Sequence, residues 1–139
     1  MPPAEHAATR GPFSEQRVLI VDDDPDMAEV LTVILEEEGF RTRAALSPHS
    51  AMALASSFAP TVAILDIGLP EIDGYELLTK LREEPALAGC KFIAMTGNSD
   101  PALRERSSSV GFSGHLLKPF SMPDLLAFVV SVSTGELDT

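Results

Sequence analysis

Apolar runs of strand length recur along the chain at Val18 to Val21, Phe40 to Leu46 in a half-polar form, Val62 to Leu65, Phe92 to Met95 and, more weakly, His115 to Leu117. Helical stretches lie between them. The clearest is "PDMAEVLTVILEEEG", in which Met27, Val30, Leu31, Ile34 and Leu35 repeat at helical spacing, with Pro25 near the start and Gly39 after the end. Four more follow: "SPHSAMALASSFAP" with Ser47 as cap, "DGYELLTKLREEPALAG", "SDPALRERSSSVGF", and "SMPDLLAFVVSVS" with Ser121 as cap. Strand followed by helix, repeated in this way, predicts an α/β fold: a five-stranded parallel sheet with helices on both faces. The nearly pure apolar character of "VLIV" and "VAIL" suits strands buried on both sides. Residues 1–16 and 133–139 read as tails around a domain over 17–132.

In such a fold, function gathers beyond the C-terminal ends of the strands. Each strand end here is polar and directly follows an apolar run: Asp22 and Asp23 after the first, Asp66 after the third, Thr96 after the fourth and Lys118 after the fifth. If those ends converge, one pocket holds carboxylates, a hydroxyl and an ammonium. Clustered carboxylates are the hard oxygen ligands that Mg²⁺ takes, with Asp22 and Asp23 as its seat and Asp66 as a further contributor. A carboxylate beside such a cation can also attack phosphorus and form an acyl phosphate, whose oxygens a lysine and a hydroxyl would hold. Phosphoryl transfer asks mainly for positioning and charge neutralisation, and this set supplies both.

Composition narrows the partners. With 139 residues, 45% of them hydrophobic, the chain suits one compact domain with a real core. Its net charge of −11 argues against a nucleic-acid surface and against attraction to an anionic membrane, leaving basic, apolar or metal-bridged partners. The single cysteine, Cys90, forms no internal disulfide and reads as an ordinary small apolar residue. No zinc spacing, signal peptide or membrane-length run is present, so a cytoplasmic location is expected. The spacing of Asp22, Asp24 and Asp26 imitates the opening of a calcium loop, but Met27 stands at the required glycine and Val33 at the terminal glutamate. Asp24 and Asp26 therefore read as surface or capping acids of the first helix.

The segments "VLIVDDDPD", "AILDIGLPEIDGYELL", "FIAMTG" and "LLKPF" resemble, in order and at suitable separations, the signature segments of response-regulator receiver domains of two-component signalling. The likeness runs from Arg17 to Val132. It implies a flavodoxin-like sheet in the order 2-1-3-4-5. It also implies that Asp66 is the phosphoacceptor, that Asp22 and Asp23 with the backbone carbonyl of Gly68 hold Mg²⁺, and that Thr96 and Lys118 contact the phosphoryl group. The implied donor is a phosphohistidine on a sensor histidine kinase or a histidine phosphotransfer protein. The expected output is a surface change read by a downstream protein target, onward phosphotransfer, or dimerisation on phosphorylation, the domain being either stand-alone or excised from a hybrid histidine kinase. Catalysis in this family is limited to the domain's own phosphorylation and dephosphorylation.

The chain departs from the family pattern three residues before Lys118, where Tyr or Phe is usual and His115 stands here. A planar imidazole can serve as the rotating switch, with a charge that depends on pH, or it can be a fixed polar side chain; the sequence leaves both open. Gly97 suits a passage for the phosphoryl group, and Gly68 and Asn98 occupy positions that tune acyl-phosphate hydrolysis in the family. A haloacid-dehalogenase-like phosphatase is the rival enzyme reading, since it too opens on an Asp-x-Asp strand end. Asp26 at the place of its usual Thr or Val, and the lack of an acidic pair after Lys118, count against it. A pseudo-receiver that binds without phosphorylation is the rival binding reading, and the joint presence of Asp22, Asp23, Asp66, Thr96 and Lys118 speaks against that.

Overall fold

The computed structural model describes residues 16–67, 74–96, 111–117 and 120–134. Five strands, β1 (Arg17–Val21), β2 (Arg41–Ala45), β3 (Val62–Asp66), β4 (Lys91–Thr96) and β5 (Gly114–Leu117), form one sheet in the order β2-β1-β3-β4-β5. Every pairing is parallel. The expected order is thus the observed one. The helices described are α1 (Pro25–Glu37), α2 (Pro48–Phe58), α3 (Gly74–Arg82) and α4 (Met122–Thr134). The helix expected over "SDPALRERSSSVGF" falls almost wholly outside the described residues.

Local chemistry sets the helix ends. Asp24 caps α1, its carboxylate accepting from the backbone N–H groups of Asp26 and Met27, and Pro25 follows in the first turn, where its missing N–H costs nothing. Past the C-terminus of α1, Gly39 takes a φ of 103°, and the Phe40 N–H turns back to the Leu35 carbonyl at 3.1 Å. That is a Schellman closure, and it delivers the chain straight into β2. Ser47 and Ser50 cap α2 reciprocally, as expected of Ser47. Ser121 Oγ likewise accepts from the Asp124 N–H at 3.1 Å at the head of α4.

The stretch "DGYELLTKLREEPALAG" is not one helix. It breaks into α3 and a 3₁₀ turn at Pro85–Leu87, because Pro85 has no N–H to continue the ladder and its ring crowds the preceding turn.

Alternate residues of the strands feed two separate apolar layers. Leu19, Val21, Ala63, Leu65 and Ala94 pack under α2 and α3, while Val18, Ile20, Val62, Ile64 and Ile93 pack under α1 and α4 with Leu31, Leu35, Leu125 and Val129. Residues 18–21 of β1 are wholly buried, as "VLIV" predicted. Edge strand β2 is different: Arg41, Arg43 and Ala44 are exposed, and the Arg43 guanidinium stands 5.6 Å from the centroid of the Phe58 ring. Charged residues on an edge strand discourage pairing with another chain.

Candidate functional site

The chain moves from β1 to β2 on one side of the sheet and then to β3 on the other, so a crevice opens between the C-terminal ends of β1 and β3. Register fixes what meets there. Val21 pairs with Leu65, and one step further along both strands places Asp22 opposite Asp66. Carboxylate oxygens of Asp22, Asp23 and Asp66 all lie within 4.8 Å of one another. Three negative charges at that separation repel strongly outside bulk water, and a divalent cation is the direct remedy. The donor set is hard oxygen throughout, which fits Mg²⁺.

The acidic triplet divides into three jobs that the sequence shows only as a run. Asp22 is 1% exposed, its N–H donates to the Ala45 carbonyl at 3.1 Å, and its Oδ1 accepts from the Asp24 N–H at 3.0 Å. It is therefore tied to the sheet on one side and to the entry of α1 on the other. Asp23 is exposed and can approach a ligand from solvent. Asp24 spends its carboxylate on the helix cap, as the capping reading expected, and Asp26 is an exposed acid of the first turn.

Asp66 closes β3 half-buried, and the next residue, Ile67, donates its N–H to the Met95 carbonyl at 3.1 Å. This bond holds the exit of β3 against β4. Thr96 ends β4, 8% exposed. On β5, His115 pairs with Ala94 and Leu117 with Thr96, so His115 and Thr96 share one face of neighbouring strands, two positions apart. His115 is half-buried. Gly68, Gly97, Asn98, Lys118 and Pro119 lie outside the described residues.

Beside the acid cluster runs a feature that the sequence did not announce. An apolar cleft of about 170 Å³ separates α1 from the N-terminal half of α4, lined by Met27, Val30, Ile34, Phe120, Met122 and Leu125 among others. Helical spacing picks out Met27, Val30 and Ile34 as one apolar face, yet Val30 is 46% exposed, and Met122 across the cleft is 56% exposed. Cys90 behaves as expected, half-buried against the α2–α3 layer, and desolvation pushes its thiol up from 9.0 to about 12.

A doubly wound parallel domain with three carboxylates at its switch point is a class defined by fold and site together. Comparison with known proteins gives the family. The chain belongs to the response regulator receiver domain family, whose profile matches residues 18–130. An uncharacterised 14.6 kDa protein from Leptolyngbya boryana is 32% identical over 84% of this chain and 89% of its own length. The DNA-binding response regulator MtrA of Mycolicibacterium smegmatis is 32% identical over 82% of this chain, which spans 49% of that protein. This chain thus corresponds to about half of such regulators.

Among solved structures, the chemotaxis protein CheY4 of Vibrio cholerae superposes with a TM-score of 0.80 at 26% identity, covering 84% of this chain and 98% of that one. A CheY-like receiver domain protein from Methanospirillum hungatei gives 0.78 at 30% identity, covering 88% and 96%. The chain is therefore a receiver domain of two-component signalling, a family that works with histidine kinases or phosphotransfer proteins. Membership disposes of the phosphatase reading. Among the described residues, no helix is long and apolar enough to cross a membrane. The acidic balance describes this chain's own surface and says nothing of what a DNA-binding relative carries elsewhere.

Proposed function

We propose that this domain, over residues 17–132, takes a phosphoryl group from a phosphohistidine onto Asp66 in the cytoplasm and passes the change to a protein surface. The observation that carries the reading is the convergence of Asp22, Asp23 and Asp66 at the switch point of a receiver fold. In the transfer, the P–N bond to the donor imidazole breaks as an Asp66 carboxylate oxygen bonds to phosphorus. The released imidazole takes up a proton from solvent.

Asp22, Asp23 and Asp66, with the Gly68 carbonyl, would hold Mg²⁺, which when bound neutralises charge on the phosphoryl oxygens. Asp22 is suited to a fixed ligand because backbone hydrogen bonds hold it on both sides. Thr96 supplies a hydroxyl to the phosphoryl group and Lys118 a point charge. The added charge on Asp66 draws Thr96 toward it, and His115, on the same face, moves with Thr96 as the switch residue. A downstream protein, or a second copy of the domain, reads the altered surface.

Intact mass after incubation with acetyl phosphate and Mg²⁺ tests this, beside an Asp66→Asn variant and an EDTA control. A gain of one phosphoryl group, absent from both controls, is expected. Absence of any gain, together with failure to bind beryllium fluoride, would make the domain a binding module that works without phosphorylation.

A further inference from the structure

The β2 edge of the sheet carries opposite charges on its two faces. α1 and α4 share one face, α4 over β3 and β5 and α1 over β1 and β2, so the side of α1 turned away from the cleft looks out past β2. Glu29, Thr32 and Glu36 lie on that side at helical spacing, both glutamates exposed and about two turns, ~10 Å, apart. α1 has no Lys or Arg to offset them. On the other face, Arg41 and Arg43 alternate with Thr42 and share the side of Ala45, which packs beneath α2. Both arginines are exposed, ~7 Å apart along the strand, and α2 has no Asp or Glu.

Among the described residues, no ion pair joins these four charges to one another or to a neighbour. Arg43 is nonetheless held in place: its guanidinium donates to the Thr42 carbonyl at 3.1 Å and stands against the Phe58 ring. That bond takes up a carbonyl of the edge, which leaves side chains rather than an added strand as the means of contact. A basic partner would satisfy the glutamates and leave the arginines without anions; an acidic partner would do the reverse. A second copy of the chain satisfies both. A two-fold axis running out through the edge of β2 turns the α1 face of one copy onto the α2 face of the other, and sets acids against arginines twice over.

We propose that the β2 edge is an isologous contact between two copies of this chain, in which Glu29 and Glu36 of each copy meet Arg41 and Arg43 of the other. The exposed Ala44 and Leu46 add apolar area along the same edge. Exposed ion pairs are individually weak and screened by salt, so the dimer is weak and salt-sensitive. None of these groups belongs to the acid cluster, so the pairing is expected in the unphosphorylated chain.

The test is sedimentation equilibrium of the whole chain over concentrations up to the millimolar range. A reversible dimer is expected, weakening about tenfold or more between about 0.15 M and about 1 M salt. Arg41→Glu with Arg43→Glu, or Glu29→Lys with Glu36→Lys, should each weaken self-association about tenfold or more. An equimolar mixture of these two variants should then pair at least as tightly as the wild-type chain. Arg41→Glu alone, which leaves the bonds of Arg43 in place, should weaken self-association several-fold and decides the matter if a double variant fails to fold.

A wild-type chain that stays monomeric throughout, or a dimer that survives either reversal, would overturn the proposal. So would a dimer that tightens with salt, since apolar contact or relief of net repulsion would then drive it. A mixture that fails to pair while circular dichroism shows both variants folded counts equally against it.

Discussion

Phe128 of α4 packs directly on the backbone of Gly114 at the start of β5: a methyl group at Gly114 would come within 2.6 Å of Phe128 Cε1 and closer still to Cζ. The last strand and the last helix are held together at a point where no side chain fits. Gly114→Ala should therefore cost about 1–3 kcal/mol, read as a lower denaturant midpoint. The double variant with Phe128→Leu should recover part of that loss, because the two positions are in contact and not additive.

Asp24 acts through α1. Its carboxylate takes up two of the helix's first N–H groups, so Asp24→Ala should cost about 1 kcal/mol of stability, and Asp24→Asn much less. The paired measurement separates capping from charge: loss of the negative charge alone, as in the Asn variant, leaves the acceptor oxygen in place.

Thr42 is a buried polar group on β2, 1% exposed, and among the described residues its Oγ1 has no hydrogen-bond partner. A hydroxyl taken out of water without a partner destabilises the fold. Thr42→Val keeps the shape and the strand preference while removing that oxygen, and should raise stability by about 1 kcal/mol in thermal unfolding.

Burial holds Cys90 in its thiol form. With the thiol raised from 9.0 to about 12, its thiolate fraction at pH 8 is lower by roughly a thousandfold, so labelling by a thiol-reactive dye should be slow in the native chain and fast once it is unfolded. The sign of the pH effect follows. The folded state keeps its proton longer than the unfolded state, so Cys90 leaves stability untouched below pH 9 and lowers it as pH rises from 9 towards 12. Cys90→Ala should flatten that alkaline decline.

The sheet and its acid cluster were legible in the sequence because both depend on short-range facts. Unbroken apolar runs mark buried parallel strands, and an Asp directly after such a run has little choice but to stand at a strand end. What the sequence hid depends on backbone direction and distant register. The differing roles of Asp22, Asp23 and Asp24 follow from which N–H groups turn toward each carboxylate, and a run of three identical letters does not carry that. Pro85 is visible in the sequence, but Leu77, Leu78 and Leu81 keep a helical period up to the break and so hide it. The cleft of Val30 and Met122 and the close approach of Gly114 to Phe128 arise between α1, α4 and β5, far apart along the chain.

The two apolar layers divide the labour of change. Leu19 and Val21 look into one while Val18 and Ile20 look into the other, so a substitution under α2 and α3 finds its compensating neighbours on that side alone, and likewise under α1 and α4. A lineage can thus re-specify one face of the molecule while the opposite face stays as it was. Asp66 stands at the end of a strand that borders both layers, so a change on either face reaches the acid cluster through β3 alone.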